Sequence, residues 1–183
     1  MEKTAGVSYQ TWMQQQVIDP LQLSNTSIEK EATNLATFYK RIPGKEKTLT
    51  QWRDVDLSHR LAGGGWVSTS TDLAVFGQGF MQDDFIAKAI RDEFWTPQTL
   101  NSGKLNHQNY AIGWRRHQLE LNEKLGSVTY YHHGGVSRGA QSFLVVIPEH
   151  QLSLAININA KTDNFSDFAQ LAGKLTREVI SAL

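Results

Sequence analysis

The chain has 183 residues, 40% of them hydrophobic and 20% charged, with 18 lysines and arginines balanced by 18 aspartates and glutamates. That length can bury one core, and the neutral balance without any basic run gives no electrostatic footprint for nucleic acid or an anionic membrane. The lack of cysteine excludes disulfides, thiolate metal sites and a cysteine nucleophile, and no apolar run approaches the roughly 20 residues of a membrane-spanning helix.

In chain order, Ser8 is a candidate N-cap. Tyr9, Trp12, Met13, Gln16 and Val17 follow it at helical spacing until Pro20 stops the run. From Leu21 to Arg60 the periodicity is poor, which predicts a loop-rich excursion with one short strand near Ala36–Lys40. Gly63, Gly64 and Gly65 read as a tight turn, since no Lys-Ser/Thr follows to make a phosphate loop. Ser68–Thr71 then caps a helix carrying Leu73, Phe76, Gly77 and Phe80. A second helix is expected over Asp84–Trp95, stopped by Pro97.

The second half reads as strands. Tyr110, Ile112 and Trp114 alternate with Ala111 and Gly113, and Val128–His133 follows a turn at Asn122–Gly126. Ser142–Ile147 is apolar on both faces, as a buried central strand is. Leu152–Ile158 alternates, with Leu152, Leu154, Ile156 and Ile158 on one side. Phe168, Leu171, Ala172, Leu175 and Val179 form the apolar stripe of a last helix. Three antiparallel strands with a helix laid on one face make an α+β fold.

Most catalytic patterns fail. His132 and His133 are adjacent, so on a strand they point to opposite faces and cannot readily share a metal. No HExxH spacing occurs, and neither a metal nor another cofactor is expected. No G-x-S-x-G elbow occurs. The sequons at Asn25 and Asn164 are of a kind common by chance. His132, Trp66, Trp114 and Tyr110 read as core or structural residues.

One stretch carries more information: His133-Gly134-Gly135-Val136-Ser137-Arg138-Gly139, followed by the hairpin of Ser142–Ile147 and Leu152–Asn159. It resembles the third motif of serine β-lactamases and penicillin-binding proteins, a Lys/His-x-Gly strand with the hairpin after it. Gly6-Val7-Ser8-Tyr9 with Pro20-Leu21-Gln22-Leu23 is similar to an earlier helix and exit of that family. Ala62–Thr69 with Asp72-Leu73, Trp95-Thr96-Pro97 and Tyr110–Trp114 add further matches in the family's order. The likeness is greatest to the class C-like branch, which includes esterases and D-aminopeptidases.

The resemblance implies a single transpeptidase-like domain over residues 1–183 that lacks its N-terminal part: an antiparallel sheet with the C-terminal helix packed on it, plus a helical, loop-rich region. It implies an acyl-enzyme hydrolase of β-lactams, esters or D-amino-acid peptides. The family's nucleophile motif, Ser-x-x-Lys, and its Tyr-x-Asn motif read as absent from this chain, no serine being followed by lysine three residues on, and are expected before Met1. The chain alone is then inactive, and a small-molecule substrate binds only once the N-terminal part completes the site. His133 maps to the motif cation, and the Val136 backbone N–H to one oxyanion donor. Gly134 and Gly135 leave room for an acyl group along the strand edge. Arg138 stands at the cleft mouth or in a solvated loop. A non-catalytic scaffold that keeps the fold is the alternative, as is a subunit completed by another chain. An unpaired edge at Leu152–Ile158 implies a homo-oligomer.

Overall fold

The computed structural model describes residues 1–42, 44–53, 56–123 and 125–183. After a short α1 (Glu2–Ala5), Ser8 caps α2 (Tyr9–Met13), its Oγ accepting the Thr11 N–H at 3.1 Å. The run continues through a π-helical turn, Gln14–Ile18, into α3 (Asp19–Leu21). Pro20 therefore lies inside the helical run. The wider π turn before it alters the i−4 bonding that a proline disrupts. The end comes at Gln22, in the left-handed region with φ 53°.

The excursion that follows holds more structure than its sequence implies. β1 (Ser27–Ile28) pairs with β4 (Trp66–Val67), while β2 (Tyr39–Ile42) and β3 (Lys45–Gln51) make an antiparallel hairpin. Lys-Glu-Lys-Thr-Leu-Thr-Gln has no apolar face, so period-2 hydrophobicity could not reveal β3. Of the glycine run, Gly63 and Gly64 end a short α4 (Leu61–Gly64).

Thr69 caps α5 (Ser70–Gly79) by accepting the Asp72 N–H. Asp72 is buried, and its Oδ2 accepts both the Asn25 N–H and the Thr26 hydroxyl at 2.8 Å. One carboxylate thus pins the exit of α3 to the start of α5. α6 (Lys88–Phe94) is shorter than its apolar pattern implies, because residues before Ala87 take turn conformations. Phe80, Trp95 and Trp114 pack together, and Trp95 stacks on Tyr131 at 4.2 Å.

The main sheet has four strands, not three, in the order β5-β6-β7-β8, all antiparallel. They are β5 (Arg115–Glu120), β6 (Ser127–Ser137), β7 (Ala140–Ile147) and β8 (Leu152–Ile158). The strand expected at Tyr110–Trp114 is a turn: Gly113 has φ 74° and the Ala111 N–H donates to the Trp114 carbonyl at 2.7 Å. β5 comes immediately after it, hidden by the charges of Arg115, Arg116 and Glu120. The turn from β5 to β6 closes with Gly126 N–H on the Asn122 carbonyl; Lys124 within it lies outside the described residues.

α7 (Phe165–Ser181) covers one face of the sheet, rotated from the stripe its leucines suggest. Phe168, Ala172, Thr176 and Ile180 are buried, whereas Leu171, Leu175 and Val179 are 46%, 41% and 37% exposed. The rotation is possible because the Thr176 hydroxyl donates to the Ala172 carbonyl at 2.8 Å, so a polar residue enters the core already satisfied. α5 lies on the opposite face, close enough that a Cβ on Gly77 would meet Ser153 Oγ at 2.2 Å.

Candidate active site

Strand alternation sorts the β6 side chains. Val128, Tyr130, His132 and Gly134 face α7, while Tyr131 and His133 face the aromatic, helical side. β5 pairs with β6 only as far as Arg115↔His132, whereas β7 pairs through to Ser137↔Ala140. Beyond His132, residues 133–137 therefore have no ladder partner on the β5 side among the described residues. An open strand edge results, with His133 at its foot.

The residues expected at this site stand in different surroundings. His133 is half-buried, with Nε2 2.5 Å from the Tyr110 hydroxyl; burial, then the Arg115 charge, hold its pKa below the usual imidazole value. Val136 turns its side chain outward, 53% exposed, so packing makes no demand on it and its backbone is what the edge presents. The two glycines differ. A Cβ on Gly134 would stand 2.2 Å from Phe165 Cζ, so that glycine makes room for α7; a Cβ on Gly135 would meet only Ser142 Cβ, at 4.0 Å. Arg138 is exposed at the hairpin tip. Beside it Gly139, at φ 69°, leaves no room for a Cβ against Phe38 and Tyr39, so the tip leans on the start of β2.

His132 is built into the other face. Its ring is sandwiched between Tyr130 at 4.9 Å and Phe143 at 5.1 Å, and its Nε2 meets His117 Nδ1 at 2.8 Å. Burial, with the positive charge of neighbouring His117, Arg115 and His133, pushes its pKa down to about 3. Of the aromatics read as core, Trp114 is buried and Trp66 half-buried. Tyr110, read as core, is half-buried, and its hydroxyl meets His133 Nε2.

The serine motif also needs a correction. Ser27-Ile28-Glu29-Lys30 has the Ser-x-x-Lys spacing within this chain. Ser27 sits in β1, Ile28 is extended at φ −68° and ψ 145°, and Lys30 belongs to a 3₁₀ turn. The serine hydroxyl donates to its neighbour's carbonyl, Ile28 O, at 3.2 Å. An extended residue between them denies serine and lysine the shared face that successive turns of one helix provide. The same segment borders a cavity of about 480 Å³, lined by Ile28, Lys30, Leu35, Phe38 and Leu61 among others.

Known proteins resemble this chain in sequence and in fold. The family model described as Beta-lactamase matches residues 1–175. The serine beta-lactamase-like protein LACTB, mitochondrial, of Mus musculus is 29% identical, over 86% of this chain and 32% of its own. Penicillin-binding protein 4* of Bacillus subtilis (strain 168) is 29% identical over 52% of this chain and 20% of its own. Among solved structures, D-amino acid amidase from Ochrobactrum anthropi SV3 superposes with TM-score 0.74 at 17% identity, covering 99% of this chain and 53% of its own. The D-stereospecific amidohydrolase from Streptomyces sp. gives 0.69 at 23% identity, covering 87% and 46%. The chain thus spans about a third of the length of the curated LACTB relative and about half of these solved chains. With a family model matched over nearly its whole length and a sheet-and-helix fold shared with those structures, the chain belongs to the β-lactamase and penicillin-binding-protein-like serine hydrolase family.

Proposed function

We propose that this chain supplies the substrate-edge half of an acyl-enzyme hydrolase acting on esters, β-lactams or D-amino-acid amides. The observation that carries this reading is the open edge of β6 at residues 133–137, with His133 at its foot. A strand edge offers backbone N–H groups at fixed spacing. One of them, from Val136, serves as an oxyanion donor, a role whose removal elsewhere costs about 3–4 kcal/mol. The unencumbered side of Gly135 gives an acyl chain room, and Arg138 stands at the mouth. The nucleophile comes from another segment, since the Ser27–Lys30 spacing is set out on a strand and a 3₁₀ turn.

Purified as it stands, the chain is expected to turn over neither a chromogenic cephalosporin nor p-nitrophenyl esters. A serine labelled by a fluorophosphonate, Ser27 included, would overturn that division of labour. In a protein joining this sequence to a segment with Ser-x-x-Lys and Tyr-x-Asn, turnover is expected. There His133→Ala should lower kcat/KM roughly ten- to hundredfold through lost positioning while the protein still folds. Intact turnover in that variant removes His133 from the site, and an inactive joined protein favours a scaffold role.

β8 is the last strand of the sheet, and its outer side has no ladder partner among the described residues. Just past its C-terminal end the Tyr39 N–H donates to the Asn159 carbonyl and Asn159 Nδ2 to the Thr37 carbonyl. Together with the exposed Leu171, Leu175 and Val179, this edge supports self-association of the isolated chain. Sedimentation at micromolar concentration should show a dimer or larger species, shifted toward monomer by Leu175→Glu. A monomer in the parent chain contradicts it.

A further inference from the structure

The turn that carries Tyr110 is arranged around its hydroxyl. Asn106 Oδ1 accepts the Tyr110 N–H at 2.7 Å, and Asn106 Nδ2 donates to the Tyr110 carbonyl at 2.8 Å, so one side chain clamps both backbone polar groups. The guanidinium of Arg115 lies over the ring, 5.3 Å from its centroid. The ring stands edge-on to the His133 imidazole at 89°, with the hydroxyl 2.5 Å from Nε2. Phenylalanine would fill the same space, so packing alone does not account for a hydroxyl aimed at one ring nitrogen. With Nε2 engaged by the hydroxyl, a neutral ring that accepts there carries its proton on Nδ1.

We propose that Tyr110 is the positioning residue of the open edge: its O–H donates to His133 Nε2, fixes the imidazole as the Nδ1–H tautomer and sets the ring plane at the foot of residues 133–137. The purpose of that placement rests on the acyl-hydrolase reading; the placement itself does not. With Nε2 occupied and Nδ1 protonated, His133 has no free acceptor. It cannot take a proton from an attacking group while Tyr110 is in place, so its part is to orient the acyl chain beside Gly135, and proton transfer falls to residues outside this strand. A hydrogen bond fixing an imidazole tautomer through its second nitrogen is a recurrent device for setting ring orientation.

Long-range proton–nitrogen correlation on the ¹⁵N-labelled full chain at pH 7.5 tests this directly, with His133 assigned through His133→Gln. The wild type is expected to show a single Nδ1–H tautomer for His133. Tyr110→Phe should give a mixture of both tautomers and a higher titration midpoint. Arg115→Gln should also raise the midpoint, by removing a charge, yet leave the tautomer as it was. An Nε2–H tautomer in the wild type overturns the proposal, even if Tyr110→Phe fails to fold, and so does a tautomer unchanged in Tyr110→Phe. The readout needs no substrate. An inactive joined protein would therefore count against the hydrolase reading and leave the role of Tyr110 standing.

Discussion

Gly134→Val is expected to destabilise the chain by about 2–3 kcal/mol, a fall of roughly 5–10 °C in Tm for a domain of this size. At this position even a single Cβ would stand 2.2 Å and 2.7 Å from two atoms of the Phe165 ring and 3.1 Å from Phe143. Phe165 packs at a tilt on Phe143 and edge-on to Phe168, so the ring cannot retreat without opening the contact between α7 and the sheet. Gly135→Ala, one residue on, should change stability by no more than about 0.5 kcal/mol, because its Cβ would meet only Ser142 Cβ, at 4.0 Å. Thermal denaturation of the two variants side by side checks the contrast. Equal losses would mean that both glycines are packing glycines, and the room assigned beside Gly135 would disappear.

Mild acid should destabilise the chain through His132. Its folded-state pKa, about 3, lies below the ordinary imidazole value of 6.5. Below pH 6.5 the unfolded chain therefore binds a proton that the folded chain refuses. The sign follows: this contribution is fully present above pH 6.5 and is lost as pH falls toward 3, at about 1.4 kcal/mol per pH unit. By pH 5 that is about 2 kcal/mol from one residue, before most carboxylates titrate. The groups around it add no compensation. His117 and His133 are likewise held below their ordinary values, Arg115 is positive, and Tyr130 and Phe143 close both faces of the ring. Urea unfolding at pH 7.5, 6.5, 5.8 and 5.0 should show stability flat in the first interval and falling in the others. His132→Phe keeps a ring between Tyr130 and Phe143 and should flatten the fall by about 1.4 kcal/mol per pH unit. Parallel slopes in the two proteins would rule out His132 as the source.

Where sequence and structure agree, one residue's local chemistry decided the matter. Ser8 accepts from Thr11, Thr69 from Asp72, and Leu152–Ile158 forms the strand its alternation describes. Strand alternation likewise put His132 and His133 on opposite faces, as β6 does. What escaped depends on partners far along the chain. α7 buries Thr176 in place of Leu175 because the hydroxyl finds its acceptor inside the helix, and a scale that ranks leucine above threonine points to the wrong face. Gly134 and Gly135 read alike as small residues in a motif, yet only Phe165, some thirty positions later, tells them apart. Tyr110 was hidden for a similar reason: an aromatic in an apolar alternation reads as core until the hydroxyl's partner, His133, is known.

The two clamps on the excursion have a consequence for the order of folding. Asp72 holds Asn25 across 47 positions, and Asn159 holds Thr37 across 122. The β6–β7 and β7–β8 pairs, by contrast, close through short connections, Ser137↔Ala140 and Ile147↔Leu152 at their tips. Loop-closure entropy rises with the length enclosed, so the hairpins are expected to form the sheet before either clamp shuts. Residues 25–39 would then settle on a finished surface, with the open edge beside His133 formed before the segment beneath its hairpin tip. Variation in that segment can therefore reshape the surroundings of the edge without passing through the step that builds it.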